Sequence, residues 1–217
     1  MDDKVFIPKD SGTTREFATG AHRDGAVGKG RCDLLPLLGV GKVFRRIAKE
    51  YIIMQNEGLP NEYPMKAVDI VPDINAIAQT ITEENARWVF IESISRFTRN
   101  HDTIHLVDAI IAAKLGLNEY KNSTFEEMFM DVSKLYEAGA LKYEANNWRK
   151  GMPLTCYLDS GIRHFFKART ANYAQSEDMD CEHFDEPHYR GPVWNLLCAI
   201  WTAENIEGAF DDLAIME

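Results

Sequence analysis

Apolar residues three, four and seven positions apart recur along most of the chain, the mark of one-sided helices, and period-two alternation is scarce. Val43, Ile47 and Tyr51, with Phe44, give this spacing to the second half of TGAHRDGAVGKGRCDLLPLLGVGKVFRRIAKEYI, whose glycine-rich first half reads as a loop. Thr82 before Glu83 and Glu84 predicts a helix start, and Asn100 a stop. TIHLVDAIIAAKLG predicts a further helix ended by Gly116. Ser123-x-x-Glu126 reads as a capping box before FEEMFMDVSKLYEAGALKYE, where Phe125, Met128, Phe129, Val132, Leu135, Tyr136, Gly139 and Tyr143 keep the pattern. Pro153 opens a helix with Leu154, Tyr157, Leu158, Gly161, Ile162, Phe165 and Phe166 inward. Pro192 opens a last one with Val193, Leu196, Leu197, Ile200 and Trp201 inward. Residues 58–82, with Pro60, Pro64 and Pro72, read as an irregular connection, so the pattern as a whole predicts an all-α protein.

Composition narrows the classes. Hydrophobic residues make up 45% and charged residues 27% of the 217, ordinary for a folded globular chain long enough to bury a core. No apolar run approaches the ~20 residues that span a bilayer, and MDDKVFIPKDSG lacks the basic and apolar regions of a secretory signal. Cys32, Cys156, Cys181 and Cys198 stand far apart without CxxC spacing, which predicts reduced thiols, a cytoplasmic setting and no zinc site. The net charge of −10 argues against nucleic acid as a partner. A small polyphosphate remains compatible, because carboxylates can hold a divalent cation that receives it.

Candidate chemistry gathers in three places. In NNWRKGMPLTCYLDSGIRHFFKA, Asp159 and Arg163 share a helix face four residues apart, with His164 beside them. The plain alternative is a surface ion pair and a structural histidine. In CEHFDEPHYRGPVWNLLCAIWTAE, Glu182, His183, Asp185, Glu186 and His188 crowd ahead of Asn195, a mixture suited to a divalent ion or, equally, a solvated acidic loop. Glu137 lies beside an apolar stripe and can point along a helix groove or into solvent. The segment GAHRDGAVGKGR fails the P-loop pattern, since Arg31 and Cys32 stand where a hydroxyl belongs, yet Lys29, Arg31 and backbone N–H groups could still cradle phosphate. A rival metal site is His101-Asp102, with His22, His105 and Asp108, in the order of HD phosphohydrolases.

Three blocks, TGAHRD…GKGRCDLLP, LYEAGALKYEANNWRKGMPLTCYLDSGIRH and DEPHYRGPVWNLL, resemble the phage dATP/dGTP diphosphohydrolases of the MazZ type, relatives of the MazG nucleotide pyrophosphohydrolases. The resemblance covers residues 20–50 and 132–205. It implies a MazG-like helical bundle: a mobile segment at 1–19, then a single all-α catalytic domain at 20–217 with 54–131 as a helical insertion. It implies hydrolysis of dGTP, and of dATP, to the monophosphate and pyrophosphate, with dGMP supplying 2-aminoadenine deoxynucleotide synthesis in a phage and the enzyme working in the host cytoplasm. It also implies a homo-oligomer, dimer or tetramer. The chain departs from the MazG metal motif EExxE, since Met130 stands where the third acid follows Glu126 and Glu127, and Glu182-x-x-Asp185 precedes Pro187.

The resulting expectation is a Mg2+ or Mn2+ site made by Glu137, Asp159, Asp185 and His188, with Glu137, Asp185 and His188 catalytic. Lys29, Arg31, Lys142, Asn147, Trp148, Arg163, His164 and Asn195 are expected to bind substrate, Trp148 by stacking on the purine and Asn147 by reading its edge. The alternatives are the HD-type phosphohydrolase and a catalytically silent nucleotide-binding protein.

Overall fold

In the computed structural model of the protein, the described residues are 14–16, 18–19, 22–24, 28–56, 83–170 and 188–213. Among the described residues six helices carry the fold: α1 (Leu37–Asn56), α2 (Glu83–Asn100), α3 (Ile104–Gly116), α4 (Phe125–Lys142), α5 (Leu154–Arg169) and α6 (Gly191–Asn205). Short 3-10 turns occupy Cys32–Leu34, Asn147–Lys150 and His188–Arg190. The all-α expectation stands, with one local addition. Strands β1 (Thr14–Glu16) and β2 (His22–Asp24) form an antiparallel ladder, with β1 inside the segment expected to be mobile. Glu182, His183, Asp185, Glu186 and the connection at 58–82 lie outside the described residues.

Helix α3 is the axis of the core. Every residue from Leu106 to Gly116 except Asp108 is buried, so the helix is apolar on almost all sides, as a central helix must be. Helices α1, α2 and α6 pack around it, and α5 pairs with α6. Phe90 of α2 stacks on Phe165 of α5 with ring centroids 3.9 Å apart. Full burial of side chains of this size contributes roughly 1.5–3 kcal/mol each. The stretch expected as an insertion therefore supplies the centre of the core through α2 and α3. Buried Lys114 spans this region, reaching the Lys121 carbonyl at 3.5 Å and the Phe125 ring, and burial lowers its pKa.

Helix α4 begins one residue later than the capping box read from sequence. Thr124 Oγ1 accepts the Glu127 N–H at 3.1 Å, and a Glu127 carboxylate oxygen accepts the Thr124 N–H at 2.7 Å. Such caps contribute about 1 kcal/mol. Ser123 instead donates to the Tyr120 carbonyl, closing the preceding turn. Among the described residues, no helix is long and apolar enough to cross a membrane.

Candidate active site

Helices α4, α5 and α6 enclose a cavity of about 280 Å3. Leu135, Ala138, Gly139 and Lys142 recur three and four residues apart, so they form one face of α4, with Tyr143 just beyond its end. Ser160 and His164 face them from α5, and Gly191, Trp194 and Asn195 from α6. The wall thus places one cation, one imidazole, two hydroxyls (Tyr143 and Ser160) and one amide around an otherwise apolar space. Asn195 is buried, and its amide N–H donates to the Gly191 carbonyl at 2.8 Å, which fixes its orientation.

His164 and His188 meet at this cavity, with Nδ1 to Nδ1 at 3.0 Å. Burial, then the neighbouring His188, Arg163 and Lys167, lower the His164 pKa to about 4, which keeps its ring neutral near pH 7. The approach depends on Gly191: a Cβ there would fall 2.4 Å from His164 Cγ. Any larger residue would force the imidazole or the start of α6 to move.

A second, mostly apolar pocket of about 400 Å3 adjoins the first, and the two share Leu135, Gly139, Tyr143 and Trp194. Asn147 and Trp148 line it, with Tyr136, Asn146 and Met152. Trp148 departs from its expected role as a stacking platform. It is 6% exposed, in T-shaped contact with Tyr136 and Trp201 and beneath the Arg149 guanidinium, so it is wall rather than platform. Trp148 Nε1, Trp194 Nε1 and Asn146 Oδ1, from three residues of this wall, are buried without hydrogen-bond partners. Unpaired buried polar atoms cost roughly 1–3 kcal/mol each and call for a functional or structural explanation.

Other expected site residues stand elsewhere. Glu137 is two residues from both Leu135 and Gly139, hence about 200° around α4, on the side away from the cavity. Its Oε1 accepts the Gly28 N–H and its Oε2 the Gly30 N–H, both at 2.8 Å. Gly28 and Gly30 have φ of +80° and +82°, and a Cβ on Gly30 would lie 2.1 Å from Ser133 Oγ, so this docked loop requires glycine. The Arg31 N–H donates to the Ser133 carbonyl at 3.1 Å, which puts Lys29 and Arg31 on the same far side. The Arg31 guanidinium is engaged by Asp33 at 2.6 and 2.7 Å, and that hydrogen bond raises its pKa. Asp159 and Arg163 form an i, i+4 pair at 2.7 Å with side chains 74% and 53% exposed, the plain surface reading.

Of the expected metal set, Glu137 accepts the Gly28 and Gly30 N–H groups, Asp159 pairs with Arg163, and His188 meets His164, while Asp185 lies outside the described residues. Among the described residues, no three His, Cys, Asp or Glu side chains are grouped to hold a metal. The HD alternative fares no better. His101 stacks on Phe210, Asp102 caps the Ile104 N–H at 2.9 Å, His105 meets the Asn100 amide at 3.0 Å, and Asp108 accepts Arg46 at 2.9 Å. Sequence reasoning missed Ser160, Gly191 and Trp194. The signal for Ser160 was its place one turn before His164 on a helix already assigned.

Every residue that lines the two cavities falls within 112–212, the stretch that matches the family profile described as dATP/dGTP diphosphohydrolase, N-terminal. This stretch is similar to the dATP/dGTP diphosphohydrolases. The match indicates a hydrolase acting on nucleoside triphosphates. No curated protein and no solved structure matches the chain. The diphosphohydrolase match extends upstream of the resembling block at 132–205, taking in Tyr120 and Asp131.

Proposed function

We propose that the cavity between α4, α5 and α6 binds dGTP, or dATP, and that the protein hydrolyses it to the monophosphate and pyrophosphate with help from a divalent cation. The observation that carries this reading is the pairing of a cavity that presents Lys142, His164 and Asn195 with an aromatic one inside the family-matched stretch. Their contrast suits a ligand with a charged end and a flat apolar end. Lys142 supplies positive charge to the phosphates, and the anchored Asn195 amide orients them. Neutral His164 is too weakly basic to be an efficient proton acceptor near neutral pH, so it serves to orient the attacking water with His188. The purine lies toward Tyr136, Trp148 and Trp194.

The divalent cation is Mg2+ or another such as Mn2+, and the cavity offers it the His164–His188 imidazoles beside the Ser160 hydroxyl and the Asn195 amide. His188 is the candidate ligand here, with Asp185 the oxygen donor proposed from sequence alone. When bound, such an ion neutralises phosphate oxygens and acidifies water. Further elements of the proposal are a homo-oligomeric dimer or tetramer and a role in a phage, in the host cytoplasm, where dGMP feeds 2-aminoadenine deoxynucleotide synthesis. Turnover of dGTP with Mn2+, with Mg2+ and with chelator tests the reaction. Metal-dependent release of pyrophosphate and dGMP supports it, and release of inorganic triphosphate and deoxyguanosine refutes it.

A further inference from the structure

Arg190 lies two residues after His188, and its guanidinium holds the Asp131 carboxylate in a two-pronged pair. Nε and Nη2 donate to the two oxygens of Asp131, each at 2.7 Å. The side chains are 15% and 19% exposed, so solvent screens this pair far less than the exposed pairs elsewhere on the surface. Tyr120 donates its hydroxyl to Asp131 at 3.2 Å and sets its ring edge-on to Tyr189 at 5.2 Å, while Arg190 lies over the Tyr189 ring. Lys134 completes the enclosure at 3.0 Å from Asp131. Burial works to raise the Asp131 pKa, but the bonds from Arg190 and Lys134 prevail and leave it below the usual carboxylate range.

Arg190 is also the N-cap residue of α6, where its side chain makes no capping bond. That side chain is anchored on α4 instead. The turn from His188 to Arg190 is one 3-10 turn long and leads directly into Gly191, which abuts His164. With so little chain between the anchor and the histidines, the grip on Arg190 sets where His188 sits.

We infer that Asp131 and Tyr120 are positioning residues for the cavity, whose hold on Arg190 fixes the turn that presents His188 to His164. This rests on the reading of the cavity as the nucleotide site. It also assigns a task to residues 83–131 of the expected insertion, which both fill the core and brace the site through Tyr120 and Asp131. A planar guanidinium fork meeting a carboxylate at two points fixes direction as well as distance, which suits such a brace.

The test uses the full chain with Asp131→Asn, Arg190→Lys and Tyr120→Phe. Two readouts are taken: the His164–His188 ring contact by nuclear magnetic resonance, and kcat and KM for dGTP. With the fold retained, Asp131→Asn and Arg190→Lys are expected to weaken the ring contact and lower kcat by about tenfold to a hundredfold, while KM changes little. Tyr120→Phe removes only one hydroxyl, so it carries the test should the charge variants fail to fold, and the same changes are expected in smaller measure. An intact ring contact with unchanged kcat overturns the proposal, as does a lost contact with unchanged kcat. If the wild-type protein leaves dGTP intact, the reading of the site fails, and the ring contact alone decides whether Asp131 positions His188.

Discussion

His164 Nδ1 lies 3.0 Å from His188 Nδ1, close enough that one ring must donate to the other and at least one must be neutral. Burial, then His188, Arg163 and Lys167, bring the His164 pKa to about 4, from an ordinary value of 6.5. Between those values the unfolded chain binds a proton that the folded chain refuses. Stability therefore rises with pH through the window from about 4 to 6.5 and is lost as pH falls through it. Urea midpoints across this range should show the slope in the wild type and a shallower one in His164→Gln. Equal slopes would remove His164 as its source.

Gly191 faces His164 so closely that a Cβ would sit 2.4 Å from the ring. Gly191→Ala is expected to lower stability by about 1–3 kcal/mol, the usual cost of overpacking. The His164–His188 contact should be lost with it. Thermal unfolding checks the first, and ring resonances the second.

Glu137 holds the Gly28 and Gly30 N–H groups with its two oxygens and faces away from the cavity. Glu137→Gln sets an amide donor against one of those donors. It should lower stability by about 1–3 kcal/mol and speed hydrogen exchange at Gly28 and Gly30, while dGTP turnover is retained. Abolished turnover with unchanged exchange would return the carboxylate to the catalytic site.

Asp159 and Arg163 make an exposed pair. Asp159→Asn should change stability by no more than about 0.5 kcal/mol and leave turnover unaltered. A large loss of activity would show a ligand role that the i, i+4 contact hides.

The helices were legible because their apolar spacing, Pro153 and Pro192 are local signals, and local signals also brought out Lys142, His164 and Asn195. The capping box was misread by one residue because Ser123 and Thr124 both precede a glutamate three places on. Glu137 was harder to place for a different reason: its partners are backbone N–H groups, which carry no side-chain signature. That Gly28 and Gly30 sat in the same resembling block was a hint, but not of which carboxylate they meet. The Asp131–Arg190 pair joins residues 59 apart, a distance at which one sequence offers no pairing rule. Trp148 was visible as an aromatic beside Asn147, but whether its ring faces a ligand depends on Tyr136 and Trp201, brought to it from other helices.

Titration of a non-hydrolysable α,β-imido analogue of dGTP into three proteins tests the placement of the nucleotide most directly. Lys142 lines the cavity, and Arg163 is an equally cationic neighbour on the outer face of α5. Lys142→Met should weaken binding about tenfold, the effect of about 1.4 kcal/mol, while Arg163→Met binds as the wild type does. Weakened binding in Arg163→Met with Lys142→Met unaffected would contradict the placement and put the triphosphate outside the cavity.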